Sequence, residues 1–187
     1  MKPRLILAVP LLAVSSLAVA QGEEKEKHGH IGLASFATVI ESNISGAQED
    51  ELAGPALFAG FAVNDNFGGR ATIASQDHED TENIEATAFE ANFMAGTGLA
   101  TEGFKAYGSF GFFSDTWEFN TVNGTFDNNF NGMMLGGGLG YSWNVVGLDF
   151  WFNIRDGSDY ENFIEDTAFG STEVSAASGG LGLSARF

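Results

Sequence analysis

The carboxyl-terminal segment, residues 172–187, alternates between two kinds of side chain. Its apolar series runs to the last residue and comprises Ala177, Gly179, Leu181, Leu183, Ala185 and Phe187. The positions between them hold Ser178, Gly180, Gly182, Ser184 and Arg186. Because successive side chains of a β-strand point to opposite faces, the segment predicts a strand with one apolar face and one small or polar face.

Eight segments of the chain are strand-like in this sense. They span residues 31–40, 56–64, 70–76, 84–95, 103–113, 133–143, 147–155 and 174–187. The connections are alternately long and short, with long ones at 41–55, 114–132 and 156–173. After the first twenty residues, no run approaches the ~18 apolar residues of a transmembrane helix. We therefore expect an all-β fold, an eight-stranded antiparallel up-and-down transmembrane β-barrel with short turns at one end and long loops at the other.

The amino terminus reads as an export signal. Lys2 and Arg4 precede an apolar run, and an Ala-x-Ala pattern ends at Ala20. We expect residues 1–20 to be a removed signal peptide, 21–29 a flexible arm and 30–187 the barrel domain. The chain has no cysteine, so it carries neither a lipid-anchoring thiol nor a disulfide framework.

Two tight turns predict strand registers. Asn123-Gly124 favours a type I′ turn, which would place Phe112 opposite Leu135 and Trp117 opposite Phe130. Gly98-Leu99 as a type II′ turn would place Phe93 opposite Phe104. The face of the first strand stays open, because Ile31 and Leu33 compete with Phe36 and Ile40 for the apolar side.

Within each predicted strand, the ionic and the apolar side chains fall on alternate positions and therefore on opposite faces. We expect a lumen charge network of Arg70, Glu90, Lys105, Asp149, Arg155 and Arg186. The predicted membrane-facing residues are Phe89, Phe93, Phe104, Phe110, Phe112, Leu135, Leu139, Tyr141, Trp143, Leu148, Phe150, Phe152, Leu181, Leu183 and Phe187. A charge on a lipid face costs about 2–4 kcal/mol near the midplane, so charges confined to one face fit a lumen. A soluble barrel would also place its charges opposite its apolar face, and the export signal and terminal Phe187 favour the membrane. A soluble lipocalin-like carrier, with its apolar face inward, is the less favoured alternative.

Residues 114–132 predict a hairpin standing above the membrane. Its predicted exposed aromatic residues are Trp117, Phe119, Phe126 and Phe130, with Asn123 and Gly124 at the tip. The long loops contain many acids and neither Lys nor Arg. They would repel lipopolysaccharide unless Ca²⁺ or Mg²⁺ bridged the two, although solubility alone also explains them.

Several functions are disfavoured by composition. The formal net charge of −17 argues against nucleic acid as a partner. His28 and His30 form a His-x-His pair on the arm that defines no metal geometry, and His78 is a surface histidine without an ordered nucleophile. We expect no enzymatic activity, no cofactor and no metal site. A narrow porin-like channel remains the alternative to a structural or surface-interaction role.

The chain resembles the small eight-stranded outer-membrane barrels of the opacity-protein, OmpX/Ail and OmpA transmembrane-domain type. The resemblance lies in the alternation, in Gly138-Leu139-Gly140-Tyr141, and in the ending from Gly180 to Phe187. It implies a location in the bacterial outer membrane and recognition of the last strand by the barrel-assembly machinery. It also implies roles in envelope integrity or surface attachment. The acidic loops depart from relatives that bind anionic surfaces, and the surface partner stays unknown.

Overall fold

The computed structural model describes residues 26–42, 50–78, 83–121, 124–167 and 173–187. Eight antiparallel strands close into a barrel in which each strand pairs with the next and the first pairs with the last. The strands are β1 (Gly29–Ser42), β2 (Asp50–Ala62), β3 (Phe67–His78), β4 (Ile84–Thr97), β5 (Gly103–Thr121), β6 (Gly124–Ser142), β7 (Val146–Arg155) and β8 (Val174–Arg186). The predicted up-and-down barrel is confirmed.

One helix, α1 (Ser158–Thr167), lies between β7 and β8 where the sequence predicted only a loop. Asp156 starts it, because its carboxylate accepts hydrogen bonds from the Ser158 amide at 3.1 Å and hydroxyl at 2.6 Å. These bonds, led by that of the hydroxyl, lower the pKa of Asp156. Acidic residues in the first turn also favour a helix start. The part of the chain that the structure describes contains no candidate transmembrane helix.

The amino-terminal arm is described only from Glu26 onward. The Lys27 amide donates to the Ala100 carbonyl at 3.2 Å, and His28 Nδ1 lies 2.8 Å from the Ala62 carbonyl oxygen. β1 then begins at Gly29, one residue before the predicted domain boundary. The predicted signal peptide and the start of the arm lie outside the described residues.

The register of β5 and β6 corrects the predicted turn. Thr121 pairs with Gly124, so Phe112 lies opposite Met133 rather than Leu135, and Trp117 opposite Asn128 rather than Phe130. Gly124, at a φ of 136°, is the first residue of β6 and not the second residue of the turn. The connecting residues 122–123, including Asn123, lie outside the described residues.

The turn between β4 and β5 is longer than predicted. Phe93 pairs with Phe110, not with Phe104. The reason is Asp65, whose carboxylate accepts hydrogen bonds from the Gly98 amide at 3.2 Å and the Thr101 hydroxyl at 2.7 Å. These bonds stabilise a five-residue connection, 98–102, in place of a two-residue turn. Both register errors are even-numbered, so they leave every side chain on its predicted face.

The outer surface carries the large apolar side chains. Of the residues predicted to face the membrane, Leu148 is half-buried and the others are exposed. In β1, Ile31 and Leu33 point outward, whereas Phe36 and Ile40 are buried in the lumen, which resolves the open face. Rings that face outward contradict a lipocalin-like carrier, whose apolar residues would converge inside.

Glycines in the wall make room for rings inside the barrel. A Cβ on Gly180 would lie 2.4 Å from the Trp151 ring, and one on Gly138 would lie 2.4 Å from the Tyr107 hydroxyl. Trp151 packs against Phe36 and Phe58 in the middle of the lumen. The glycine-rich inner faces of β6 and β8 therefore accommodate bulky groups from neighbouring strands.

Candidate functional site in the lumen and the protruding hairpin

Arg155 is the centre of the larger ion-pair group in the lumen. Its Nη2 donates to Glu90 Oε1 at 2.8 Å, and its Nη1 donates to Asp115 Oδ2 at 2.6 Å. Glu90 also accepts hydrogen bonds from Asn153 Nδ2 at 3.0 Å and from the Ser178 hydroxyl. All five side chains are buried. Buried charges need such pairing, because an unpaired ion in the interior is costly.

Asp115 falls within the predicted long connection 114–132, but it is not one of the exposed loop acids. It lies in β5 on the same face as Lys105, ten residues away, and points into the lumen. The alternation of β5 could have identified Asp115 as a lumen residue, because it lies an even number of residues from Lys105. The partners Asn153 and Ser178 share the parity of Asp149 and Arg186, but their neutral side chains gave no signal.

Tyr160 of α1 closes the mouth of the barrel at its long-loop end. Its hydroxyl donates to Asp115 Oδ2 at 2.9 Å, and its ring stacks on Phe130 at 4.5 Å and on Phe113 at 6.1 Å between centroids. Burial raises the pKa of Tyr160. The sequence analysis missed this residue because it treated 156–173 as a loop.

The same cluster corrects two of the four hairpin aromatic residues. Trp117 and Phe130 are 6% and 2% exposed, because their faces of β5 and β6 turn over the lumen and pack on Tyr160. Phe119 packs against the edge of this cluster. Phe126 is 61% exposed and is the member of the set that projects into solvent.

The other charged residues of the lumen do not join the Arg155 group. Lys105 Nζ pairs with Asp149 at 2.8 Å. Arg186 donates to three backbone carbonyls, those of Trp143, Ala100 and Thr101, at 2.8–3.0 Å. Arg70 donates to the Tyr107 hydroxyl and lies over the Trp151 ring. The six predicted residues are thus all in the lumen, but they do not form one network.

Apolar and ionic groups together fill the lumen. The Trp117–Tyr160 cluster lies at the mouth, the Phe36–Phe58–Trp151 cluster in the middle, and Met94 and Tyr107 near the short turns. The Arg155 and Lys105 ion pairs lie on the same inner face of the wall. An eight-stranded barrel is only wide enough to be filled by its own side chains. The described side chains therefore leave no wide channel through the lumen.

The β5–β6 hairpin, described at residues 114–121 and 124–132, has an open edge, and it is called the protruding hairpin because β6 continues beyond its pairing with β7. β5 pairs with β4 as far as Phe119 on one side and with β6 over its whole length on the other. β6 pairs with β7 only from Met134 to Ser142. Among the described strands, none therefore lies beside residues 125–129 of β6 on the side away from β5.

Four acidic side chains form a row across the outside of the wall. Asp77 pairs with Glu85, Glu85 with Glu118, and Glu118 with Asp127, on four successive strands. All four are exposed. Like charges placed directly opposite each other are destabilising, so this row attracts positive charge. Within the described residues, no three acidic or histidine side chains converge to hold a metal ion.

All three histidines of the chain have structural contacts. His78 Nε2 lies 3.1 Å from Asp50 Oδ1, across the β2–β3 pair. His30 stands edge-on to Phe58, with ring centroids 6.0 Å apart. The predicted His28 and His30 pair is split, because His28 is held at the Ala62 carbonyl instead.

A closed eight-stranded barrel with an aromatic outer face and an ionic interior is the architecture of small transmembrane barrels. Barrels of this class span the outer membrane of bacteria, and the exposed apolar belt of this chain fits that location. Comparison with solved structures finds the same fold. Ail, the attachment invasion locus protein of Yersinia pestis, is 15% identical with a TM-score of 0.61 over 87% of this chain and 100% of that chain.

Two further structures are similar. Neisserial surface protein A is 12% identical with a TM-score of 0.62, over 88% of this chain and 100% of that chain. The N-terminal β-barrel domain of Pseudomonas aeruginosa OprF is 12% identical with a TM-score of 0.52, over 87% of this chain and 100% of that domain. No known family profile matches the sequence, and no curated protein sequence matches it. The likeness is therefore one of fold.

Proposed function

We propose that the protein is a non-enzymatic surface barrel of the outer membrane that attaches to a partner offering an extended, positively charged polypeptide segment. The observation that carries this proposal is the open edge of β6 in the protruding hairpin. An open strand edge presents unpaired backbone groups to which another strand can pair.

The direction of the backbone groups is fixed by two contacts at the base of the edge. The Asn131 amide donates to Asp159 Oδ2 at 2.8 Å, and the Met133 carbonyl accepts from the Asp156 amide at 2.9 Å. Because alternate residues of an antiparallel strand direct their backbone groups to the same side, Thr125, Asp127 and Asn129 direct theirs to the open edge. A docked segment would pair with these three residues beside exposed Phe126.

The charge of the partner follows from the acidic row. Glu118 and Asp127 lie on the hairpin itself, next to the edge, and the long loops contain neither Lys nor Arg. Lysine or arginine side chains of a docked strand would relieve the repulsion among these carboxylates. One solved structure shows Ail in complex with the heparin analogue sucrose octasulfate. The acidic row of this chain disfavours a sulfated ligand at the hairpin.

We also propose membrane partners for the remainder of the surface. The aromatic belt contacts the acyl chains of the outer membrane, and Ca²⁺ or Mg²⁺ links the acidic rim to lipopolysaccharide phosphates. The barrel-assembly machinery recognises the end of β8, where Phe187 exchanges two backbone hydrogen bonds with Gly29 and its ring is 71% exposed. The filled lumen favours attachment and envelope integrity over a porin-like channel.

The attachment proposal is tested with peptides on the purified barrel in detergent micelles. The probe is a short fluorescent peptide of alternating Lys and Thr, and the comparison peptide replaces Lys by Glu. We expect the Lys peptide to bind with an affinity that falls as salt is raised, and the Glu peptide not to bind.

A matched pair of variants separates edge pairing from charge attraction. Asn129→Pro removes the outward N–H, whereas Asn129→Ala loses the same side-chain bond to Thr116 but keeps that donor. We expect Asn129→Pro to weaken binding and Asn129→Ala to leave it near wild type. Equal binding by both variants would refute edge pairing, and binding of the Glu peptide would refute the charge preference.

A further inference from the structure

Arg70 is a buried cation without an acidic partner among the described residues. It is 4% exposed, and the one side-chain hydrogen bond that it makes to the described residues runs from Nη1 to the Tyr107 hydroxyl at 2.7 Å. Nε and Nη2 are buried and have no hydrogen-bond partner in the described chain. The guanidinium carbon lies 4.2 Å from the centroid of the Trp151 ring. Arginine cannot lose its proton, so the charge needs compensation.

The residues directly opposite Arg70 supply a further donor but no carboxylate, and the nearest acid on β3 and β4 is Glu90, opposite Thr72. The cross-strand partners of Arg70 on the adjacent strands are Gly60 on β2 and Asn92 on β4. Asn92 is 6% exposed, and both its Nδ2 and its Oδ1 have no described partner. Thr72, the next inward residue of β3, has an unpartnered buried hydroxyl. Two guanidinium nitrogens, one amide group and one hydroxyl thus have no described hydrogen-bond partner on two adjacent strands.

The acids of the lumen are occupied elsewhere. Glu90 accepts from Arg155, Asn153 and Ser178, and Asp149 is bound by Lys105. Asp115 is shared by Arg155 and Tyr160. Arg70 and Arg186 are left as two positive charges in the half of the lumen near the short turns, and Arg186 alone is satisfied by carbonyl oxygens.

We propose that Arg70 and Asn92 form a binding site for a small monovalent anion of the size of chloride inside the lumen. The anion would accept hydrogen bonds from Arg70 Nε or Nη2 and from Asn92 Nδ2, with the Thr72 hydroxyl as a further donor. A halide suits this site because it accepts several hydrogen bonds without needing to donate one. The apolar clusters at both ends of the lumen favour a small ion over a carboxylate-bearing metabolite.

The test measures the unfolding temperature of the purified barrel while chloride replaces gluconate at constant ionic strength. A ligand that binds the folded state alone raises the midpoint with its concentration, and the rise follows occupancy of the site. Asn92→Asp places a carboxylate directly opposite Arg70 and supplies the missing counter-charge internally. Asn144→Asp, at an exposed turn, makes the same change in net charge away from the lumen.

We expect chloride to raise the midpoint of wild type and of Asn144→Asp, and to have no effect on Asn92→Asp. An equal effect on all three, or none on wild type, would overturn the proposal. A second readout locates the ion without relying on Asn92→Asp. In a protein with Trp117→Phe and Trp143→Phe, iodide should quench Trp151 fluorescence in a saturable way that chloride reverses. Linear quenching that chloride leaves unchanged would contradict a site beside Arg70.

Discussion

The hydroxyl of Tyr160 donates a hydrogen bond of 2.9 Å to the carboxylate of Asp115, which lies 45 residues earlier in the chain. This bond attaches the only described helix to the inner wall of the barrel. Asp115 is held in turn by Arg155, so the helix that covers the mouth and the ion pairs below it form one connected unit. A substitution in either the helix or the ion pairs should therefore destabilise both.

Tyr160→Phe tests the strength of that attachment. The ring stacking on Phe130 is kept, but the hydroxyl loses its bond to Asp115 and the longer one, at 3.5 Å, that it accepts from Arg155 Nη1. The loss of a hydrogen bond to a charged group costs about 1.5–3 kcal/mol. We expect a lower urea midpoint for unfolding in detergent, with Asn162→Ala on the exposed side of α1 as the neutral control. The raised pKa of Tyr160 adds a pH effect. The stabilisation that the neutral hydroxyl provides is complete below the ordinary tyrosine pKa and is lost as pH rises through the raised pKa of the folded protein. The stability of Tyr160→Phe should therefore be less sensitive to alkali than that of wild type.

Arg155→Leu tests the ion-pair group. It leaves Glu90 and Asp115 buried without their cation, which should cost about 3–5 kcal/mol of stability. Adding Glu90→Gln and Asp115→Asn in the same chain removes the stranded charges, so we expect the triple variant to be more stable than Arg155→Leu alone. Exposed Glu118→Gln should change the unfolding free energy by less than about 0.5 kcal/mol. A triple variant no more stable than the single one would show that packing, not charge, dominates here.

The composition of this site was only partly predictable from sequence. Parity placed Arg70, Glu90 and Arg155 on the lumen side, because a period of two is insensitive to exact register. Which cation meets which acid depends on the stagger between strands and on reach across the barrel, and neither is encoded locally. Glu90 and Arg155 lie 65 residues apart. The helix that carries Tyr160 was missed because its apolar pattern is short and its anchoring contacts are non-local.

The turn held by Asp65 gives a pH prediction at the other end of the barrel. Hydrogen bonds from the Thr101 hydroxyl and then from backbone amides lower the pKa of Asp65. The stabilisation is present above the ordinary aspartate pKa and is lost as pH falls through the lowered folded pKa. We expect wild type to lose more stability than Asp65→Asn between about pH 5 and pH 3. The effect is small, because this exposed carboxylate is screened by solvent, so parallel acid titrations of both proteins by heat-modifiable gel mobility are needed.

The same turn explains why the register of β4 and β5 could not be read from Gly98-Leu99. A two-residue turn would have placed Ala91 opposite Ala106, but the structure places Ala91 opposite Phe112. The difference arises because Asp65, more than thirty residues earlier, bonds Gly98 and Thr101 and holds the longer connection. A local turn signal cannot report a contact with a residue so distant in sequence. The face to which each side chain points was therefore predicted correctly, whereas its partner on the neighbouring strand was not.

Paired cysteines distinguish the two registers. The chain contains no natural cysteine, so each double variant has one possible disulfide. Directly opposite residues of an antiparallel pair have Cβ atoms about 4.5–5.5 Å apart, close to disulfide geometry. Ala91→Cys with Phe112→Cys should therefore oxidise readily with copper phenanthroline in the folded barrel. Ala91→Cys with Ala106→Cys, six residues along the same strand, should stay reduced until the barrel is unfolded. Faster oxidation of the second pair would instead support the register set by a two-residue turn. It would contradict the pairing of Phe93 with Phe110, whose rings are in contact on the outer face of these two strands.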